Sequence, residues 1–231
     1  MILSEQKRTV HLEWLSQLLT SEIDARRERS LSMRIKRAEF PEITSIETFD
    51  WSFNPDIDKE KIDELLTLNF VHQHQIALFL GKPGTGKTHL AVAIGLLATQ
   101  QNMRVFCSSM KKLSAQILKA KARNQIDELF KRILSSHLWI LDDWAVISMS
   151  AEIAEEVFDL LDRRRPSTAL LVTSNRDIEE WSQVFPEPVI AAAAIDRIFD
   201  RATIVTFTGR SYRLNSRIQI LDSEIPTVLR R

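Results

Sequence analysis

One short segment constrains the fold of this chain more than any other. Residues 81–88 read Gly-Lys-Pro-Gly-Thr-Gly-Lys-Thr, which matches the phosphate-binding loop pattern Gly-x-x-x-x-Gly-Lys-Thr. The chain has only five glycines, and three of them fall within this loop, between the apolar run 76–80 and the helical run 90–98. An ordinary strand-to-helix turn does not need this spacing. The segment therefore predicts a phosphate site at the N-terminus of a helix.

The residue types in the loop suit the chemistry of a nucleoside triphosphate. Glycines let successive backbone N–H groups converge on the β-phosphate, where the partial positive charge of a helix N-terminus favours anions. Lys87 then reaches the β- and γ-phosphates, and the Thr88 hydroxyl is a ligand for Mg²⁺. The predicted nucleotide-binding residues are Gly81, Pro83, Gly84, Thr85, Gly86, Lys87 and Thr88.

A second signal is an apolar run that ends in two adjacent carboxylates, at residues 138–143. At the carboxyl end of a buried strand, Asp142 can hold Mg²⁺ directly or through water, and Asp143 can polarise an attacking water. Taken alone, such a pair is equally compatible with the start of a loop. Because it follows the phosphate loop at the interval expected for a nucleotide-hydrolysing enzyme, we predict a metal site.

A third polar side chain, Asn175, follows the apolar run 169–173. In nucleotide hydrolases with an extra strand between the phosphate-loop strand and the acidic strand, an amide at this place lies beside the γ-phosphate and orients water. The alternative is that Asn175 caps a following helix over 177–181. We expect the role beside the γ-phosphate.

Short apolar runs alternate with helix-length segments from Ile76 onward, which predicts an α/β fold with a mostly parallel five-stranded sheet and helices on both faces. The apolar positions before Ala38 predict an amphipathic helix or helix pair, followed by an extended linker over 49–55 and a helix over 62–71. The predicted strands are 76–80, 104–108, 138–141, 169–173 and 203–207.

Composition excludes several protein classes. With 231 residues, 44% hydrophobic and 27% charged, the chain is expected to fold around a core. Its one cysteine, Cys107, cannot form an intramolecular disulfide, and residues 1–8 lack the apolar stretch of a signal peptide. The apolar runs are too short to span a membrane. We expect a cytoplasmic protein without a membrane role, in which four tryptophans pack in the core or an interface and Trp144 is the candidate for exposure.

Net charge is zero, but the charges are unevenly distributed. Residues 26–37 carry six basic side chains against one acid, and residues 104–132 carry eight against two. Residues 42–64 are acidic, with eight acids against two lysines. The two basic segments are compatible with solvated helix faces and, equally, with contact to nucleic acid.

Several motifs together give the chain a family resemblance. It resembles the IstB family of transposition helper ATPases, which belong to the AAA+ group and are relatives of the DnaC helicase loader. The match runs from about residue 12 to residue 214. The segments that carry it are Gly-x-Pro-Gly-Thr-Gly-Lys-Thr-His-Leu-Ala (81–91), Leu-Asp-Asp (141–143), Thr-Ser-Asn-Arg (173–176), Glu-Trp (180–181), Asp-Arg-Ile (196–198), Gly-Arg-Ser-Tyr-Arg-Leu (209–214), and Lys-Arg-Ala-Glu-Phe-Pro (36–41) with Phe-Asp-Trp (49–51).

The resemblance implies a Mg²⁺-dependent ATPase that oligomerises on duplex DNA, largely independently of DNA sequence, and presents that DNA to a partner transposase. Hydrolysis would control disassembly. It implies a P-loop fold of the AAA+ type with an N-terminal helical appendage and without a full C-terminal helical lid. The expected division is an N-terminal helical region and linker (1–57), an ATPase core (58–218) and a tail (219–231).

The resemblance also implies residue roles. It extends the nucleotide-binding segment to His89. Arg197 lies where such proteins project an arginine finger into the neighbouring subunit's ATP site, with Arg201 as the next candidate and a surface salt bridge as the alternative for both. Arg213 resembles the second-sensor arginine. From the two basic segments, the candidate DNA-binding residues are Arg26, Arg27, Arg34, Lys36, Arg37, Lys111, Lys112 and Lys119.

Two other functions remain open from the sequence. One keeps the fold and makes the protein a helicase loader that binds a replicative helicase and single-stranded DNA. The other is a DNA-binding adaptor in which the nucleotide is structural. A genomic neighbour encoding a transposase or a helicase would separate the first two.

Overall fold

A computed structural model describes the backbone of residues 2–164 and 167–215, and side chains from residue 14 onward. Its centre is a five-stranded, all-parallel sheet in the order β2-β3-β4-β1-β5. The strands are β1 (Ile76–Gly81), β2 (Val105–Ser109), β3 (Leu138–Trp144), β4 (Ala169–Ser174) and β5 (Ala202–Phe207). The helices are α1 (Ile2–Ala38), α2 (Lys59–Leu66), α3 (Asn69–His72), α4 (Lys87–Gln100), α5 (Met110–Ala122), α6 (Ile126–Leu134), α7 (Ala151–Arg163) and α8 (Pro188–Phe199).

The predicted parallel sheet is confirmed, and its strand order places the site. Strand β4 lies between the phosphate-loop strand β1 and the acidic strand β3. The carboxyl ends of these three strands meet at one edge, where crevices in open α/β sheets bind ligands. The polar residues that follow each strand are therefore brought together.

Alternate strand residues face opposite sides of the sheet, so the core has two halves. Ile76 and Leu78 of β1 face a cluster with α5, α6, α7 and α8, whereas Ala77 and Phe79 face a cluster with α2, α3 and α4. Helices thus cover both faces, as a parallel sheet requires.

The N-terminal part differs in detail from the prediction. One continuous helix, α1, replaces the helix or helix pair, and its last residue, Ala38, is buried against the core. The linker is not extended, because the chain turns at 51–53, where the Ser52 N–H and hydroxyl both donate to Asp50 Oδ1 at 3.0 and 2.6 Å. The predicted helix over 62–71 is two helices, broken at Leu68 with φ 61°.

Strand β3 is longer than expected. It continues through both acids to Trp144, which pairs with Ser174 after a bulge-like register shift. Because this pairing draws it into the sheet, Trp144 is fully buried against Trp181 and Phe185, and the expectation of exposure was wrong.

After β5 the described chain ends in a helical turn at 212–215. The predicted tail, 219–231, lies outside the described residues, and the boundary near residue 57 remains a prediction. Among the described helices, none is both long and apolar enough to cross a membrane.

Candidate functional site

The phosphate-binding loop joins β1 to α4. Gly84 and Gly86 have left-handed backbone, with φ 77° and 100°. A Cβ at Gly84 would lie 2.2 Å from Ser211 Oγ, and one at Gly86 would lie 2.6 Å from Cε2 of Phe49. Two reasons therefore favour glycine at both positions: the left-handed backbone of the turn, and the close approach of side chains from other segments. Helix α4 begins without a side-chain cap, which leaves its first N–H groups without a capping oxygen.

Lys87 is almost completely buried within the loop. Its Nζ donates to the carbonyl oxygens of Gly81 and Lys82 at 2.7 and 2.6 Å. Burial lowers the pKa of Lys87 to about 8, although the nearby carboxylates of Asp143 and Asp142 oppose the shift. The ammonium is thus held by weak neutral partners, which an anionic phosphate oxygen would outcompete.

Thr88 and Asp142 meet as the sequence predicts. The Thr88 hydroxyl donates to Asp142 Oδ1 at 2.9 Å, and the Thr173 hydroxyl donates to the same oxygen at 2.5 Å. No cluster of three His, Cys, Asp or Glu side chains able to hold a metal occurs within 2–164 and 167–215. Mg²⁺ is commonly bound by one or two protein oxygens plus phosphates and waters, so a hydroxyl and a carboxylate in contact beside the loop fit it.

Asp143 and Asn175 form the second polar pair of the site. Asn175 Nδ2 donates to Asp143 Oδ1 at 2.9 Å, and the Asp143 N–H donates to Thr173 Oγ1 at 3.1 Å. Burial and, secondarily, the charge of Asp142 raise the pKa of Asp143 above its usual value. Asn175 does not cap the short helical segment that follows, whose N-cap is Asp177.

These groups line one cleft of about 620 Å³. Part of its wall comes from the segment after α1, which is fixed through His89. The His89 ring lies 2.9 Å from Ser45 O and packs edge-on against Phe49, while Thr44 Oγ1 donates to His89 O at 3.0 Å. The predicted His89 thus lines the cleft and also anchors its wall. The lining residues outside the loop are Pro41, Glu42, Thr44, Thr48, Phe49, Asp50, Phe53, Asn54, His89, Val92, Asp142, Asp143, Val146, Asn175, Tyr212 and Arg213.

The chain returns to this cleft after β5. The Tyr212 N–H donates to Gly84 O at 2.8 Å, and the exposed Arg213 lines the cleft. The Arg213 charge contributes to lowering the pKa of Lys87 and opposes the rise in the pKa of Asp143. Arg213 therefore acts electrostatically on Lys87 and Asp143, which line the same cleft.

Arg197 and Arg201 lie elsewhere, near the end of α8. Arg197 pairs with Asp162 at 2.8 Å and with Asp196 at 2.9 Å. Arg201 is exposed, with φ 56°, and has no ion pair among the described residues. Neither side chain lines its own chain's cleft.

The basic segments contain both paired and unpaired cations. Arg26 and Arg27 pair with acids of their own helix, at 2.7 and 3.6 Å, and Arg34 donates to Thr99 O and Ser30 Oγ. Lys112 pairs with Glu39 at 2.7 Å. Among the eight candidate DNA-binding residues, four are exposed and have no carboxylate partner within the described part of the chain: Lys36, Arg37, Lys111 and Lys119.

Two residues of the site were missed from the sequence. Thr173 belonged to a quoted motif, but its side chain was assigned no role, and the strand pairing of β3 with β4 is what brings it to Asp142 and Asp143. Asn54 had no signal beyond preceding a proline. It is buried, and its amide donates to Thr85 O at 3.2 Å.

Comparisons with known proteins agree with this geometry. An insertion sequence IS21 ATP-binding protein of Pseudomonas aeruginosa is 34% identical over 212 residues, covering 92% of this chain and 80% of that protein. Among solved structures, AMPPCP-bound DnaA from Aquifex aeolicus matches with TM-score 0.60 and 21% identity, covering 83% of this chain and 57% of DnaA. The DnaC helicase loader matches with TM-score 0.52 and 18% identity, covering 65% of this chain and 87% of DnaC.

The structural matches establish a P-loop fold of the AAA+ type, as predicted. At these identities they establish the fold alone. The family is established by sequence, because the model of the IstB-like ATP-binding proteins matches residues 2–220. The chain belongs to the IstB-like ATP-binding proteins, a family of insertion-sequence proteins.

Proposed function

We propose that this protein is a Mg²⁺-dependent ATPase whose ATP-bound subunits assemble on duplex DNA and deliver it to a partner transposase, with hydrolysis releasing the assembly. The observation that carries the proposal is the convergence of three polar groups in one cleft. Lys87, the Thr88–Asp142 pair and the Asp143–Asn175 pair come from three parallel strands and meet around the phosphate loop.

Binding follows from the loop. The uncapped N-terminus of α4 presents N–H groups to the phosphates, and the Lys87 ammonium exchanges its two carbonyl partners for phosphate oxygens. Mg²⁺ held at Thr88 and Asp142 would offset the charge that develops on the phosphate oxygens. Thr173 keeps the Asp142 carboxylate in place by donating to it.

Hydrolysis requires a water that is oriented and deprotonated. Asn175 holds Asp143 by donating to Oδ1, which fixes the carboxylate beside the phosphate site. Burial raises the pKa of Asp143 and makes its carboxylate a stronger base than an exposed one. In this proposal Asp143 accepts the proton of the attacking water, and Asn175 also orients that water.

One positive charge is expected from a neighbouring subunit. Arg197 and Arg201 lie outside their own cleft, at the end of α8, so either residue would act only in trans. Arg197 would have to leave its pairs with Asp162 and Asp196, whereas Arg201 has no such pairs among the described residues. We keep Arg197 as the first candidate finger and Arg201 as the second.

DNA contact is assigned to the exposed cations of α1, α5 and α6. Lysine and arginine contacts to phosphates give affinity with little sequence preference and strong salt dependence. The names of the relatives associate them with insertion sequences, which favours a transposase as partner over a replicative helicase. The likeness to the DnaC helicase loader concerns the fold alone.

The test is Lys87→Ala, assayed with a fluorescent ATP analogue and by ATP-dependent self-association. Removing the single ammonium placed for the β- and γ-phosphates should weaken ATP binding by about a hundredfold or more and abolish ATP-dependent assembly. The matched control is Lys131→Ala, which removes an exposed lysine of α6 and should bind ATP as the wild type does. Undiminished ATP binding by Lys87→Ala would contradict the proposal.

A further inference from the structure

The segment after β5 crosses directly over the phosphate-binding loop. The Tyr212 N–H donates to Gly84 O at 2.8 Å, and the absence of a Cβ at Gly84 makes room for the Ser211 side chain. We call residues 208–215 the strap. The strap contacts the backbone of the loop that encloses the phosphates, so the positions of the two are linked.

Asn54 joins the strap to the loop from a third part of the chain. Its side-chain Nδ2 donates to Thr85 O at 3.2 Å and to Arg210 O at 3.3 Å. Two carbonyl acceptors require the NH₂ end of the amide, which fixes its orientation. Asn54 is only 3% exposed, so both carbonyls depend on it rather than on bulk water.

The packing around Asn54 leaves little freedom. A Cβ at Gly209 would lie 1.9 Å from Asn54 Oδ1, so the strap approaches the amide as closely as a glycine permits. Next to it, Phe53 packs edge-on against Tyr212, with ring centroids 5.0 Å apart. The strap is thereby fixed at two successive residues, Phe53 and Asn54.

Arg213 follows these fixed points along the strap. It is exposed and lines the cleft with Lys87 and Asp143. An exposed arginine has a long, flexible side chain, and its reach toward the phosphates depends on where the strap places its Cα. Contacts to the loop and to residues 53–54 help to set this position.

We propose that Asn54 is a positioning residue that holds the Arg213 strap on the phosphate-binding loop and so sets the preference of the site for ATP over ADP. This inference rests on the proposed ATPase function and assigns a role within the same site. Asn54 touches neither phosphate nor metal in this scheme and acts through Arg213. A shift of the loop around a γ-phosphate is transmitted through Thr85 O, Asn54 and Arg210 O to the arginine.

The experiment measures how well ADP and the non-hydrolysable analogue AMPPNP, each with Mg²⁺, displace a fluorescent ADP analogue. The ratio of the two affinities is the readout, because a purely structural defect weakens both nucleotides alike. Arg213→Ala and Asn54→Ala should each lower the AMPPNP-over-ADP ratio by about tenfold, the size expected for a misplaced charged contact. ADP affinity should stay within about threefold of the wild type.

The double variant separates positioning from an independent effect. If Asn54 acts through Arg213, Asn54→Ala combined with Arg213→Ala should lower the ratio no further than Arg213→Ala alone. Gly209→Ala adds a Cβ that would collide with Asn54 Oδ1, so it should displace the strap from Asn54 and also lower the ratio. This variant provides a test even where Asn54→Ala is unstable. Asn69→Ala, the same substitution at an exposed residue of α3 that does not line the cleft, is the control and should leave the ratio unchanged.

Three results would overturn the inference. The first is a wild-type ratio in both Asn54→Ala and Gly209→Ala, and the second is an unchanged ratio in Arg213→Ala. The third is a double variant in which the effects of Asn54→Ala and Arg213→Ala on the ratio multiply. Each leaves the proposed function standing as long as Lys87→Ala loses nucleotide binding. Wild-type protein that binds neither nucleotide would instead overturn the proposed function and the role of Asn54 together.

Discussion

The nucleotide cleft and the basic surface differ in how well the sequence predicts the surroundings of their side chains in the folded chain. In the cleft, the charged and polar side chains predicted from the sequence come together, as with Thr88 and Asp142. In the basic segments, several cations are paired with acids that lie outside those segments. Lys112 and Arg132, for example, both pair with Glu39 at the end of α1, at 2.7 and 3.0 Å.

The difference has a physical origin. A phosphate loop is a local device: its spacing fixes the turn, the helix start and the lysine within a few residues. A basic patch is a property of a surface, and a count along the chain omits the acids that other helices bring to it. Charge excess in a sequence window therefore overstates the field that a DNA phosphate would meet.

The largest expected effect comes from substitutions that test whether hydrolysis in one subunit's cleft needs an arginine from a neighbouring subunit. Asp143→Asn should lower hydrolysis on DNA by about a hundredfold or more, because it removes the base, and Arg197→Ala should do the same from the neighbouring subunit. Asparagine tolerates the positive φ of residue 143, so the fold should be kept. A mixture of the two variants should partly recover activity, since some interfaces combine an intact Asp143 with an intact Arg197.

The control for this mixture is Asp143→Asn combined with a chain carrying both substitutions, which has no intact Asp143 and should stay inactive. If the first mixture also stayed inactive although its subunits co-assembled, Arg197 would not act in trans. Arg201, which has no ion pair among the described residues, would then be tested in the same way.

A smaller effect is expected from Thr173→Val, which keeps the shape of a buried side chain and removes its hydroxyl. Asp142 would lose a donor and the Asp143 N–H its acceptor. We expect kcat to fall by about tenfold and the Mg²⁺ concentration for half-maximal activity to rise by a similar factor. Thr168→Val, immediately before the start of β4, removes an equally buried, hydrogen-bonded hydroxyl and should change thermal stability without this Mg²⁺ effect.

Thr173 also shows a limit of sequence prediction, because its contacts with Asp142 and Asp143, 31 and 30 positions away, depend on the pairing of β3 with β4. The phosphate loop, the acidic strand and all five strands were predictable, because each depends on residues close in the chain. The contacts of Asn54 with residues 31 and 156 positions away were not. The burial of Trp144 was missed for the same reason: whether a strand continues past its acids depends on the partner strand that pairs with it.

The smallest effect comes from the basic surface. Glu39→Gln should free Lys112 and Arg132 for DNA phosphates, raising affinity for random duplex about threefold at low salt and steepening the salt dependence. Glu60→Gln removes one exposed acid from α2 and serves as the control for net charge. Unchanged or weaker DNA binding by Glu39→Gln would mean that the paired cations lie outside the DNA contact.

The two regions are joined by the proposal that ATP in the cleft assembles the basic surfaces on DNA. This proposal is tested most directly by measuring the affinity of the wild-type protein for random duplex DNA with AMPPNP and with ADP, each with Mg²⁺, across a salt series. The affinity should be about tenfold or more higher with AMPPNP and should depend more steeply on salt, because assembled subunits contact more phosphates. Equal affinity and equal salt dependence with the two nucleotides would contradict the proposal.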